Sequence, residues 1–436
     1  MINFAVIGSG SVFTPELVLK LADNTDKMGK LTLRFMDIDL PRQTVLADFC
    51  RRILKNHPLG ANIEIIECTG LDDSLPGADY VLLQLRQGGI DARIEDEKLG
   101  RKYNLPFTET ISICGYATFL RTYYEFEKVG EAILKHAPNA WILNFTNPAG
   151  QLSETLYEMG IKKIIGVCNG FVGAKWDIEH HLKIEEGSYL MNWRGLNHLT
   201  IVDGVYNNGK NRINELLDKL PDKHNNFDKS MLQSVGAILN SYIAHYLNHV
   251  KKAPNQGPDE LSLRNASGKV ADNTAKDKLR SEVVKEIDAV LLEEYKTANS
   301  VPESLSKRGG FGYSSAVVNI IRAICMNENS IHYAVVKNGS CLPSLPSDAF
   351  VEVPILVNSC GAFPIVTDDL PDYIKMLANA VKSYERILIK AARERDKKGM
   401  MLAMMTHPLM NCFKIAEPLL EECLEVNRPF LPVELY

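Results

Sequence analysis

The chain opens Met1-Ile-Asn-Phe-Ala-Val-Ile-Gly-Ser-Gly-Ser11, an apolar run that ends in two glycines one residue apart. Asn3 to Ile7 reads as a buried strand and Pro15 to Ala22 as a helix, so Gly8, Gly10, Ser11, Val12 and Phe13 fall in the connection between them. Gly8 permits the tight turn. Gly10 lets the backbone approach a pyrophosphate at the helix N-terminus, where free N–H groups and the helix dipole favour an anion. The third glycine of the usual fingerprint is absent, and Phe13 stands there. A second apolar run, Thr32 to Met36, ends in Asp37-Ile38-Asp39. An acid at Asp37 accepts hydrogen bonds from an adenosine ribose and disfavours the extra phosphate of NADP. Together these features predict a unit that binds NAD; the same loop is otherwise a glycine turn in an unrelated α/β protein.

Outward from this unit, apolar runs alternate with helical spacing. Leu46, Phe49 and Ile53 share one face of a helix predicted over Leu40 to Leu54. Ile63–Ile66, Tyr80–Leu83, Trp141–Phe145 and Lys163–Val167 read as further strands, with a long helix from Thr118 to Lys135. This pattern predicts an α/β fold: an N-terminal doubly wound Rossmann domain with a parallel sheet covered on both faces. After Asn169 the pattern changes. Met191–Arg194 and Leu199–Val205 predict strands of a second sheet, and Asn207-Asn208-Gly209 predicts a turn. Helices are expected over Ser230–Lys251 and Asp277–Lys296, joined by a polar connector, Ala253 to Asp277. A strand pair near Ile331–Val336 and Phe350–Leu356 precedes C-terminal helices. The division expected is an NAD-binding domain over 1–169 and a mixed α/β substrate- and metal-binding domain over 170–436.

The length of 436 residues accommodates two such domains, and the 45% hydrophobic and 24% charged composition is that of a globular chain. A net charge of −5 argues against nucleic acid as a partner, which needs a basic face. No apolar run is long enough to predict a membrane span. The start lacks the basic residues and cleavage site of a signal peptide. The 9 cysteines include no CxxC pair, which fits a reduced, cytoplasmic protein.

Several strand ends carry residues suited to chemistry. Cys168-Asn169 ends one strand, and His198 follows in Leu196-Asn197-His198. A thiolate and an imidazole can form half of a divalent-metal site; they can equally be a core thiol and a satisfied polar group. Asn144-Phe145-Thr146-Asn147-Pro148-Ala149-Gly150 ends another strand, where amides face the ligand crevice of a parallel sheet or simply start a helix. Arg86, in Gln84-Leu85-Arg86-Gln87-Gly88-Gly89, can bind a phosphate or carboxylate bidentately or stand as a surface charge. Tyr242 and Tyr246 sit at helical spacing. Two such tyrosines ordinarily pack, but beside a metal and an arginine one can serve as a general base, because positive charge lowers a phenol's pKa.

Together these pieces resemble the family 4 glycoside hydrolases, which depend on NAD and a metal. The resemblance runs over nearly the whole chain. Its strongest points are Ile7 to Leu17, Phe35-Met36-Asp37-Ile38-Asp39, Asn144 to Gly150, Cys168-Asn169 and Asn197-His198. Lys307-Arg308-Gly309-Gly310, Tyr313-Ser314 and Leu345 to Pro354 add to it. A dehydrogenase-like fold of the lactate and malate type is implied. So is a redox-assisted elimination: NAD+ takes hydride from C3 of the sugar, a base removes the C2 proton, the C1 substituent leaves, water adds, and the ketone is reduced back. The resemblance implies that Cys168 and His198 hold Mn2+ or another divalent metal and that Tyr242 is the base, with Asn169 beside it. Asn144 joins the cofactor residues, Asn147 and Asn169 hold sugar hydroxyls, and Arg86 and Arg308 hold an anionic group, usually a 6-phosphate. Asparagine after the cysteine is similar to the β-glucosidase branch. A homodimer or homotetramer is also implied.

Three segments depart from the family pattern: Phe107 to Tyr116, Gly170-Phe171-Val172-Gly173, and Tyr242 to Leu247. The resemblance implies a 6-phospho-β-glucosidase, and these departures, which touch anion recognition, make a uronide-specific glycosidase the alternative within the family. Outside it stand an NAD-dependent hydroxyacid dehydrogenase and a non-enzymatic NAD-sensing protein.

Overall fold

The computed structural model describes residues 1–247, 278–308 and 312–436. The polar connector up to Asp277, the last residues of the helix expected to reach Lys251, and Gly309-Gly310 lie outside the described residues. Strands β1 (Ile2–Ile7), β2 (Leu31–Met36), β3 (Ile63–Cys68), β4 (Tyr80–Leu83), β5 (Trp141–Asn144) and β6 (Ile164–Gly166) pair in parallel in the order 3-2-1-4-5-6. That is the doubly wound arrangement expected, and its direction reverses between β1 and β4. Phe4 to Ile7 and all of β4 are buried, because helices cover both faces of the sheet.

The second half of the chain differs from expectation. Among the described residues no separate large sheet forms. Strands β7 (Leu190–Leu196), β8 (Leu199–Asn207), β9 (Lys210–Asn211), β12 (Ile238–Leu239), β13 (Ser330–Lys337), β14 (Phe350–Asn358) and β15 (Gly361–Pro364) extend the first sheet. Among the described residues, only the short pair β10 (Lys223–His224) and β11 (Phe227–Asp228) stands apart. The joins are narrow: Val335 pairs with Gly166 where β13 meets β6, and Glu352 pairs with Gly195 where β14 meets β7. The added strands are antiparallel, so no crossover helix is needed between them.

The helix expected over Ser230–Lys251 is also broken. It ends at Val235, where Gly236 takes φ +68° as a left-handed cap. Ile238 and Leu239 then pair with β8, and a short helix resumes at Ile243–Leu247. A helix over Gly89–Lys102, not anticipated, follows the Gly88-Gly89 turn. No helix among the described residues is long and apolar enough to cross a membrane.

Two contacts hold the loops that matter. Arg121, fully buried, pairs with Asp96 at 2.7 Å and donates to the carbonyl of Gln87, which anchors the loop after β4. On the helix Arg280–Thr297, Tyr295 stacks on Phe49 with centroids 4.4 Å apart and donates its hydroxyl to the carbonyl of Val12 at 2.8 Å.

Candidate active site

A cavity of about 1070 Å³ lies outside the carboxyl ends of β1, β2, β4, β5 and β6, where a doubly wound sheet binds its ligands. Gly8, Gly10, Ser11, Val12, Phe13 and Asp37 line one end of it. Gly8 has φ +89°, and a Cβ there would lie 2.6 Å from the Gln84 carbonyl oxygen, so only glycine fits. The Gly10 N–H donates to Asp37 Oδ2 at 2.8 Å, and the Asp39 N–H donates to Asp37 Oδ1 at 2.9 Å. Asp37 is thus oriented before any ribose reaches it. Asp39 in turn caps the helix Leu40–Lys55.

Asn144 departs from its expected place beside the cofactor. It is fully buried and does not line the cavity. Its amide bonds Ser153 at 3.1 Å and the Thr146 carbonyl at 3.3 Å, and its oxygen accepts from the Thr146 N–H. The side chain shapes the turn after β5, and Asn147 is the residue that turn presents to the cavity.

Deeper in, the cavity brings together Cys168, Asn169, His198 and Tyr242. Cys168 ends the connection after β6, and Asn169 begins the helix Gly170–Leu182. His198 sits in the β7–β8 turn with φ +65°. Its ring stacks on Tyr242, with centroids 4.4 Å apart and planes 8° from parallel. Its Nδ1 hydrogen-bonds Thr110 Oγ1. Burial pushes the imidazole down to about 4, so it is neutral near pH 7, the form a metal ligand requires. Burial pushes the Cys168 thiol up to about 12, with the Glu352 carboxylate adding to the rise. Such a thiol ionises near neutrality only against a cation. A soft sulfur and a neutral imidazole on one wall suit a divalent ion that completes its shell with ligand oxygens and water. No group of three or more His, Cys, Asp or Glu arranged to hold a metal occurs among the described residues.

Tyr242 carries a correction. Burial raises its phenol, and the charges of Glu109 and Cys168 raise it further, outweighing Arg93 and Arg280. The protein's own groups therefore do not supply the lowered pKa expected of a base. Tyr246 packs near His407 instead, with ring centroids 6.0 Å apart.

The remaining wall is charged. Arg86 pairs with Glu109 at 3.1 Å, and Arg93 with the other oxygen of Glu109 at 3.1 Å. Arg93 also reaches Glu97 at 3.3 Å, and Arg308 pairs with Asp288 at 2.5 Å. Burial alone would raise Glu109, but Arg93, Arg86 and Arg308 hold it far below the usual carboxylate range. Arg280 also lines the cavity, and burial together with Arg93 and Arg308 lowers it. Arg86, Arg93, Arg280 and Arg308 thus cluster on this wall, interleaved with Glu97, Glu109 and Asp288. Guanidinium groups gathered in this way suit an anionic ligand.

Arg86 and Arg308 were expected here. Arg93, Glu109 and Arg280 were not assigned to the site. Arg93 and Glu97 lie four apart on the unanticipated helix, a spacing that could have flagged an ion pair. Arg280 follows the polar connector and carries no local signal.

Fold and site define an enzyme built on a dinucleotide-binding fold. Comparison with known proteins refines this. The model of the family 4 glycosyl hydrolases matches residues 3–184, and that of their C-terminal domain matches residues 193–410. The chain is 32% identical to the 6-phospho-beta-glucosidase BglT of Thermotoga maritima, over 98% of this chain and 99% of that one. A structure of the Thermotoga maritima 6-phospho-beta glucosidase with manganese, NAD+ and glucose-6-phosphate superposes with a TM-score of 0.87 at 29% identity, covering 99% of each chain. Malate dehydrogenase from Plasmodium falciparum, 14% identical, shares the fold with a TM-score of 0.51 over 90% of this chain and 99% of that one. The chain belongs to the family 4 glycosyl hydrolases, and it is an enzyme.

Proposed function

We propose that this enzyme is an NAD- and divalent-metal-dependent 6-phospho-β-glucosidase that hydrolyses its substrate by redox-assisted elimination. The observation that carries the reading is the clustering of Arg86, Arg93, Arg280 and Arg308 on one wall of the cavity that also holds the glycine loop, Cys168, His198 and Tyr242. The Thermotoga maritima relative, solved with glucose-6-phosphate, supports the same substrate class. When bound, NAD+ supplies a hydride acceptor and a divalent ion such as Mn2+ adds to the positive charge of Arg93 and Arg280 around Tyr242. Gly8, Gly10, Ser11, Val12, Phe13 and Asp37 hold the nucleotide. Cys168 and His198 hold the metal. Asn147 and Asn169 orient sugar hydroxyls, and Arg86 and Arg308, with Arg280, bind the phosphate. Tyr242 takes the proton from C2. The domains divide at 169/170, where the parallel strands give way to antiparallel ones. A homodimer or homotetramer in the cytoplasm completes the reading.

The test is nitrophenol release by purified protein supplied with NAD+ and Mn2+. The 6-phospho-β-glucoside should turn over with no net NADH, and product formed in D2O should carry deuterium at C2. Steady NADH accumulation, or turnover of a β-glucuronide in place of the phosphorylated glucoside, would overturn it. Size-exclusion chromatography with light scattering checks the assembly.

A further inference from the structure

The segment before the long helix Ser112–His136 holds two non-glycine residues at positive φ, Thr110 at +67° and Ser112 at +54°. A β-branched residue there is strained and persists only where its surroundings hold it, most often at functional sites. Two neighbours hold Thr110. Its carbonyl packs on Gly115, where a Cβ would come within 2.5 Å of the oxygen. Its hydroxyl meets Nδ1 of His198, itself at φ +65°. Thr110 does not line the cavity, although Glu109 before it and His198 do. Its reach into the site therefore runs through the imidazole.

The chemistry of the contact defines the role. A neutral imidazole carries one proton, and the partner at one nitrogen decides which nitrogen keeps the lone pair. A hydroxyl oxygen that accepts from Nδ1–H leaves the lone pair on Nε2. The stack on Tyr242 fixes the plane of the same ring. We infer that Thr110 is a positioning residue whose hydroxyl, by accepting from Nδ1–H, orients His198 and leaves the Nε2 lone pair free to hold a divalent cation. The inference rests on Cys168 and His198 being the metal pair. The strain at Thr110 is then the cost of placing a hydroxyl where the backbone favours glycine.

Mn2+ titrations of the full-length protein, with NAD+ present and no substrate, test this by electron paramagnetic resonance of free Mn2+. Thr110→Val keeps the shape and loses the hydroxyl, and it should bind Mn2+ about 10- to 100-fold more weakly, the usual effect of removing the partner of a ligating histidine. Thr110→Ser should stay within about threefold of the parent. Thr110→Gly relieves the φ +67° strain, so it should melt no lower than the parent and yet lose Mn2+ affinity as Thr110→Val does. NAD+ affinity should be the same in all three and reports that each is folded. Parent-like Mn2+ affinity in Thr110→Gly or Thr110→Val overturns the role of Thr110, provided Cys168→Ser loses Mn2+. Retention of Mn2+ by Cys168→Ser overturns the metal pair itself.

Discussion

The two ends of the cavity are made of different material. The nucleotide end is mostly backbone: Gly8 and Gly10, the start of the helix Thr14–Ala22, and one acid at the end of β2. It comes from two short stretches of chain. The catalytic end is made of side chains from Arg86, Glu109, Cys168, His198, Tyr242, Arg280 and Arg308, each on a different segment. The difference teaches what each end tolerates. The first fails when a Cβ intrudes. The second fails when a functional group is removed, even if the chain still follows the same path.

The largest effect should come from the catalytic end. Cys168→Ser should lower Mn2+-dependent turnover by about a thousandfold or more, as expected when several kcal/mol of metal assistance is lost. NAD+ affinity, read by tryptophan fluorescence, should barely change. Parallel loss of both would break the separation between the two ends. Next, Arg280→Met should cut kcat/KM for the phosphorylated glucoside by about 10- to 100-fold, the worth of one charge-assisted contact. The loss should sit mainly in KM, and steady-state kinetics on phosphorylated and unphosphorylated glycosides would show it. At the nucleotide end, Gly8→Ala must move the Gln84 carbonyl or give up φ +89°. A strain of about 1–3 kcal/mol should weaken NAD+ binding roughly tenfold and lower Tm, while Mn2+ affinity holds.

The smallest effect on the ligands comes from a residue outside both ends, whose role is in stability. His407 is buried, its Nδ1 accepts from the Leu409 N–H at 3.1 Å, and burial pushes it down to about 3. In the unfolded chain it takes a proton below about pH 6.5. Its contribution to stability is therefore complete above that pH and declines as pH falls toward 3, by about 1.4 kcal/mol per pH unit. His407→Gln should flatten that part of the stability curve in urea melts from pH 6.5 to pH 4, with ligand affinities at pH 7.5 unchanged.

The same contrast explains what was legible in the sequence. The nucleotide unit follows from local rules, since a strand, a glycine turn and a helix N-terminus lie within the first 22 residues. The acid at Asp37 follows from the end of the next strand. Cys168, His198, Arg86 and Arg308 were visible as residue types, but their convergence depends on long-range pairing. The continuity of the sheet hangs on single pairs such as Val335 with Gly166, which no periodicity reports. Asn144 misled because an amide at a strand end can turn outward or inward, and here Ser153 and Thr146 draw it inward. Gly236 did carry a stop signal for its helix, whereas the helical spacing across it suggested continuation.

The helix Arg280–Thr297 has a phase as well as a position. Arg280 and Asp288 face the cavity, while Leu291 is buried and Tyr295 meets Val12 beside the glycine loop. At about 1.5 Å per residue, the helix separates Arg280 from Tyr295 by roughly 22 Å and so works as a ruler between the arginine wall and the glycine loop. One residue inserted between Asp288 and Leu291 would lengthen that ruler only slightly. It would also rotate one face against the other by about 100°, turning the arginine away from the cavity while the tyrosine stayed docked. Register along this helix, more than its length, decides whether Arg280 can face the cavity while Tyr295 holds the glycine loop.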